Sequence, residues 1–156
     1  MDKSFISLLI ASLILLLSLG FVAYYKSNSA TEFEITAQAE MDNSCDLNKQ
    51  VCSSSISKVG KISLSINPQP IPLVSELSLK VFTDIKNIKQ IFIDFKGIDM
   101  QMGPNKVVLK QTSNAEYIGT AMLPVCIRYS MNWQASVYIE TFEGVYMAAY
   151  RFETHK

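Results

Sequence analysis

Sulfur-containing side chains are the residues of this chain whose types and spacing best fit a chemical role. Met100 and Met102 are separated by one residue and are followed by Gly103. In an extended backbone alternate side chains point the same way, so both thioethers would face one volume. Soft sulfur ligands select Cu(I), whereas carboxylates suit harder cations. The pair and the sulfur residues downstream therefore predict a Cu(I) site with the candidate ligands Met100, Met102, Met122, Cys126 and Met131.

Each candidate ligand also has a structural interpretation. Methionine is a flexible side chain that fills irregular gaps in hydrophobic cores. Cys126 lies between Val125 and Ile127 and is either a small buried apolar residue or a reactive thiol, because an odd cysteine in an exported protein suggests a free thiol. His155, the only histidine, is a weaker candidate, since it lies one residue from the end of the sequence, where chains are usually mobile.

The other two cysteines predict a disulfide. Cys45 and Cys52 lie seven positions apart in a polar segment, a spacing that suits a bridge in an oxidising compartment. A metal-binding pair is the alternative, but no histidine or further cysteine lies nearby in the sequence. The pair therefore favours a structural disulfide in an exported domain.

The first residues predict a membrane segment. Phe5–Ala23 contains no charged residue and is rich in leucine and isoleucine, and about 20 apolar residues span a bilayer as a helix. Tyr24-Tyr25-Lys26 resembles an interfacial anchor. A cleaved signal peptide, with a cleavage region at Ser27–Ala30, is the alternative. We expect residues 1–26 to anchor the chain, residues 27–58 to form a polar tether, partly helical around Thr36–Met41, and residues 59–156 to form the folded domain.

The pattern from Gly60 onward predicts an all-β domain. Apolar and polar residues alternate with the period of a half-buried strand, and turn-forming residues separate the segments. Short strands at such spacing are typical of an immunoglobulin-like antiparallel β-sandwich. We expect seven strands, centred on Ile62–Ile66, Leu77–Val81, Ile91–Phe95, Lys106–Lys110, Tyr117–Leu123, Trp133–Ile139 and Val145–Phe152.

This topology would gather the sulfur residues at one end of the domain. In an all-antiparallel arrangement each connection reverses the chain, so the connections after the first, third and fifth predicted strands share an end. The first connection contains the turn Asn67–Pro72, and the others contain the candidate sulfur ligands. Met147 lies in mid-strand and is expected in the core.

Composition argues against two classes of function. Fourteen basic and fourteen acidic residues cancel, which leaves no positive footprint for nucleic acid. The chain has no glycine-rich phosphate loop and no nucleophile elbow, and its one histidine is terminal. We therefore expect a non-catalytic protein that does not bind nucleic acid.

The segments Gly97–Gly103, Leu123-Pro124-Val125-Cys126 and Met131-Asn132-Trp133 together resemble small membrane-tethered proteins of Gram-negative bacteria that carry a Met-x-Met-Gly motif and occur alongside SCO/SenC-type copper proteins. The layout is also similar, more loosely, to the FixH and YtkA-like families. The resemblance implies a single-pass protein of the bacterial inner membrane with a periplasmic domain. It further implies copper handling in respiratory oxidase assembly, with an SCO-type copper protein or an oxidase subunit as partner. The alternative is a structural or interaction module of an envelope or oxidase-assembly complex that binds no metal.

Overall fold

The computed structural model describes residues 11–22, 34–100, 102–125 and 129–156. Residues 11–22 form a helix, α1, in which the large apolar side chains are exposed. The remainder of the predicted membrane segment Phe5–Ala23 lies outside the described residues. Over the ranges described, no helix combines the length and the apolarity that crossing a bilayer requires. Glu34–Lys156 forms a compact unit distinct from the one that contains α1.

The compact unit is built from strands. They pair in the order β1-β9-β8-β5-β6-β7-β4-β3-β2 as one nine-stranded sheet. All pairs are antiparallel except β1 with β9, which is parallel. The strands are β1 (Ile35–Gln38), β2 (Cys52–Ile56), β3 (Gly60–Asn67), β4 (Glu76–Thr83), β5 (Ile88–Gly97), β6 (Lys106–Gln111), β7 (Glu116–Met122), β8 (Ser130–Thr141) and β9 (Val145–His155).

The sheet bends at β6 into a barrel-like arrangement. The first part of β6, up to Leu109, pairs with β5, whereas Lys110 and Gln111 pair with β7. One half-sheet therefore contains β1, β9, β8 and β5, and the other contains β7, β4, β3 and β2. The phenolic oxygen of Tyr150 on β9 donates a hydrogen bond of 2.7 Å to the carbonyl oxygen of Ile62 on β3, so the two halves face each other across the core.

Alternation along the strands places the apolar face of each half-sheet in a single core. The first half contributes Trp133, Tyr150 and Phe95, and the second contributes aliphatic residues such as Leu64 and Leu79, all of them fully buried. The Trp133 indole also donates to Thr154 Oγ1 at 2.9 Å, so its one polar atom is paired inside the core. The prediction of an all-β domain is confirmed, and each of the seven predicted strands corresponds to one of the strands β3 to β9.

Two strands lie in the stretch expected to be a tether. The helix expected around Thr36–Met41 is wrong, because Ile35–Gln38 forms β1 and pairs with the edge of β9. Cys52–Ile56 forms β2, and both Cys52 and Leu47 are fully buried. This stretch is therefore part of the compact unit Glu34–Lys156.

Candidate functional site: the methionine end

One end of the sheet carries Met100, Met102, Met122 and Met131, and we call it the methionine end. At this end β3, β5 and β7 finish and β4, β6 and β8 begin. Backbone hydrogen bonds connect its loops: Val74 N donates to the Leu123 oxygen at 3.0 Å, and Ile98 N donates to the Asn132 oxygen at 2.9 Å. The Asn105 amide adds a bond of 3.1 Å to the Met122 carbonyl oxygen. The three connections thus form one continuous surface.

Two of the candidate thioether side chains meet at Gly97, the last residue of β5. A Cβ placed on Gly97 would overlap Met131 Cε and would lie 3.4 Å from Met102 Cγ. The carbonyl oxygen of Met100 would be 2.7 Å away. Only a residue without a side chain leaves this volume for Met102 and Met131, so Gly97 marks the point where these two side chains come together.

The four methionines differ in burial. Met131 is only 2% exposed, and Met100 and Met102 are half-buried and pack against the core. Met122, at the end of β7, is 54% exposed. The structure therefore brings Met102 and Met131 together, places Met100 in the adjoining backbone turn, and leaves Met122 on the surface of the same end.

The remaining candidates are placed differently. Cys126 lies outside the described residues. His155 pairs in register with Ser130, one position from the pair Met131–Thr154. Because side chains alternate along a strand, His155 points to the opposite face of the sheet from the buried Met131. Its Nε2 lies 3.6 Å from a carboxylate oxygen of Glu153.

A carboxylate that the sequence did not single out orders the loop between β5 and β6, which contains Met100 and Met102. Asp99 Oδ2 accepts hydrogen bonds from the backbone nitrogen of Asn132 at 2.8 Å and from its side-chain amide at 3.0 Å. Asp99 connects the residues after β5 to the start of β8, next to Met131. Only the folded chain brings these two segments together.

The predicted disulfide is confirmed and lies at the same end of the sheet. Cys45 and Cys52 are bonded, with their Cα atoms 5.8 Å apart. The loop that they close is fixed by Asn48, whose amide nitrogen donates to the Glu153 carbonyl oxygen at 2.8 Å and whose amide oxygen accepts from Ile71 N at 2.9 Å. The disulfide loop is thus joined to both β9 and the connection between β3 and β4.

The potential metal ligands that meet at Gly97 are methionine side chains. In the part of the chain that the structure describes, no three His, Cys, Asp or Glu side chains lie close enough to hold a metal ion. The side chains that meet at Gly97 are two methionines, and a thioether is a soft ligand that suits Cu(I) better than a hard cation. Comparison with protein families, with characterised proteins and with solved structures found no match to this chain.

Proposed function

We propose that this chain is a membrane-anchored, non-catalytic protein that binds Cu(I) at the methionine end and delivers it in respiratory oxidase assembly. The observation that supports this most is the convergence of Met102 and Met131 on Gly97. Two thioethers from distant parts of the sequence share one volume, and thioethers are ligands that select Cu(I). Delivery to an SCO-type copper protein or an oxidase subunit rests on the resemblance of the sequence motifs.

Each sulfur residue has a distinct role in this proposal. Met102 and Met131 are the primary ligands, and Met100 is close enough in the chain to add a third thioether after a change of rotamer. Cys126 supplies a thiolate from the connection between β7 and β8. Met122, which is the exposed member of the set, is the first or last ligand during transfer.

Location and fold complete the proposal. Residues 5–23 serve as a single transmembrane anchor in a bacterial inner membrane, and the β unit lies in the periplasm. The Cys45–Cys52 disulfide supports an oxidising compartment. The two facing half-sheets, joined through β6, are a variant of the immunoglobulin-like sandwich.

A competition titration tests the copper site. The full chain, purified in detergent under anaerobic reducing conditions, is titrated with Cu(I) against a chromogenic Cu(I) chelator. We expect the double variant Met102→Leu and Met131→Leu to bind Cu(I) at least tenfold more weakly than the parent. Leucine and methionine have similar volumes, so this exchange should cost less than about 1.5 kcal/mol per site and preserve the fold.

The matched control is Met147→Leu, the same exchange on β9. Met147 is buried beside Tyr138 in the register of β8 and β9, away from Gly97. This control should leave Cu(I) affinity unchanged. Equal affinities of the parent and the double variant would refute Met102 and Met131 as ligands.

A second candidate is an interaction module that binds no metal, and exposed apolar residues at the methionine end favour it. Val74, Met122 and Val125 are each more than half exposed. Val74 also has a backbone φ of 54°, a left-handed conformation that β-branched residues rarely adopt. Strained backbone conformations are found preferentially at functional sites, so this conformation at an exposed valine favours a contact surface. Absence of Cu(I) binding in the parent chain would favour this candidate.

A further inference from the structure

A groove lies beside the disulfide loop, and neither Met102 nor Met131 lines it. Its volume is about 980 Å³, close to the upper end of the range for ligand sites. One wall is the disulfide loop, the second is Pro70-Ile71-Pro72, and the floor is the outer face of β8 and β9. The Asn48 hydrogen bonds to Glu153 and Ile71 hold these three parts together, so the groove is preformed.

Charged groups of both signs line the groove, and most of them are paired. Lys49 Nζ lies 3.1 Å from a carboxylate oxygen of Asp46, and His155 faces Glu153. Arg151, on the outer face of β9, makes no ion pair with any described residue. The groove therefore presents one guanidinium group that has no ion-pair partner among the described residues, in a lining that contains two cationic side chains and two carboxylates.

The other groups that line the groove indicate which further chemical groups the ligand carries. Pro70 and Pro72 have no N–H group, so their wall offers apolar surface and carbonyl oxygens only. On the floor, Asn132 donates through its amide nitrogen to Asp99, which leaves its amide oxygen as an acceptor for a peptide N–H. An extended peptide can use such an acceptor while its apolar side chains contact the proline wall.

We propose that this groove binds an extended peptide carrying a carboxylate, with Arg151 as the residue that binds the carboxylate. The planar guanidinium group matches a carboxylate with two parallel hydrogen bonds, which a lysine cannot reproduce. The carboxylate belongs to an acidic side chain of the peptide, because capture of a C-terminal carboxylate uses backbone N–H groups, which the two prolines of the wall lack. This site is independent of copper and gives the protein a surface for a protein partner.

Peptide selection against the full chain in detergent tests the proposal. Random heptapeptides are presented in two formats, one with a free C-terminal carboxylate and one with both ends blocked. We expect selected peptides to carry an acidic residue at one fixed position in both formats. Selection in the free format alone would assign the carboxylate to the C-terminus and contradict the acidic side chain. The format identifies the source of the carboxylate.

Variants of the arginine complete the test. Arg151→Gln should weaken binding of the selected peptides by at least about tenfold, since a hydrogen bond between charged groups is lost. Arg151→Lys should restore only part of the affinity. Lys110→Gln, which removes one positive charge from an exposed position on β6, should have no effect, and neither should the double variant Met102→Leu and Met131→Leu.

Three further results would overturn the inference. Peptides selected without any carboxylate would show that the groove, if it binds peptides, does so by other chemistry. Selected peptides that bind Arg151→Gln as tightly as the parent would exclude the arginine as their anchor. Failure to select any peptide would equally contradict a preformed peptide site, because the selection uses the folded chain, whose integrity is checked by the near-ultraviolet signal of Trp133.

Discussion

At the scale of single residues, the absence of a side chain at Gly97 allows Met102 and Met131 to pack together at the methionine end. Gly103 directly follows Met102 in the sequence, at a position where a glycine would let the chain turn. A Cβ at Gly103 would meet nothing within 4 Å, whereas one at Gly97 would overlap Met131. The difference arises because Gly97 ends a strand and lies under a buried side chain from β8, a contact that local sequence cannot reveal.

We expect Gly97→Ala to destabilise the protein by about 1–3 kcal/mol, the usual cost of overpacking a core. The added methyl group would displace Met131 and push against the Met100 carbonyl oxygen. Chemical denaturation followed by Trp133 fluorescence measures the change. Gly103→Ala is the control and should change the free energy of unfolding by less than about 0.5 kcal/mol, as for exposed positions without special contacts.

The same contact predicts coupling between two positions. In a background that carries Met131→Leu, Cε is absent and Gly97→Ala should cost less than it does in the parent chain. An identical cost in both backgrounds would mean that Met131 and Gly97 do not share the volume described above.

At the scale of elements, the strands were predicted where alternation was strong and missed where it was weak. β3, β4, β5 and β8 have clear apolar alternation, so their positions followed from the sequence. β6 and β9 contain runs of adjacent apolar residues and were located from the turn-forming or polar residues that bound them. β2 reads Cys-Ser-Ser-Ser-Ile, and its buried face contains Cys52, Ser54 and Ile56. Ser54 is polar but buried, so the sequence of β2 does not show the apolar alternation of a half-buried strand. β1 has four residues and is held by parallel pairing with β9, a tertiary contact that a four-residue pattern cannot signal.

The candidate site was also predictable in part. Each antiparallel connection reverses the chain, so counting the strands was enough to place Met100, Met102, Met122 and Met131 at one end of the sheet. The count could not give the burial or the direction of these side chains, because Met100 and Met102 follow β5 in a loop where the period of two does not hold. The Asp99–Asn132 contact that orders this loop joins residues 33 positions apart.

Tyr150 on β9 links the two half-sheets and predicts a dependence of stability on pH. Burial raises the pKa of its hydroxyl above the ordinary value near 10. The folded state therefore favours the neutral phenol, so this contribution to stability is complete below about pH 10 and is lost as the pH rises through the higher pKa of the folded state.

We expect Tyr150→Phe to cost about 1 kcal/mol at pH 8, where the hydrogen bond to Ile62 is lost. Above pH 10 the parent chain should lose stability more steeply than the variant, and the gap between them should narrow. Denaturant unfolding at pH 8 and pH 11 measures both effects. A gap that stays constant or widens at pH 11 would contradict a buried, neutral Tyr150.

At the scale of the whole molecule, the chain combines a neutral, disulfide-bonded β unit with an apolar N-terminal segment. The disulfide joins a loop that contacts β9 and the connection between β3 and β4, so oxidation stabilises the end that carries the proposed sites. By the chain-entropy model, closing this short loop contributes about 2–3 kcal/mol. Both features fit a protein that is exported and remains at a membrane.

The proposed membrane anchor makes a prediction that mass spectrometry can check. The chain isolated from bacterial membranes should resist alkaline carbonate extraction and should retain residues 1–26 in its intact mass. A soluble chain that lacks about the first 26–30 residues would identify the segment as a cleaved signal peptide. That result would remove the anchor and leave the two proposed binding sites unaffected.

The most direct test of the copper proposal observes the methionine methyl groups themselves. The full chain is labelled with ¹³C at every methionine methyl and titrated anaerobically with Cu(I), and the signals are assigned by single exchanges to leucine. We predict that the Met102 and Met131 signals shift together and saturate at one equivalent of Cu(I), while the buried Met147 signal stays in place. Shifts that leave Met102 and Met131 unmoved, or no shift at all, would contradict a Cu(I) site at Gly97.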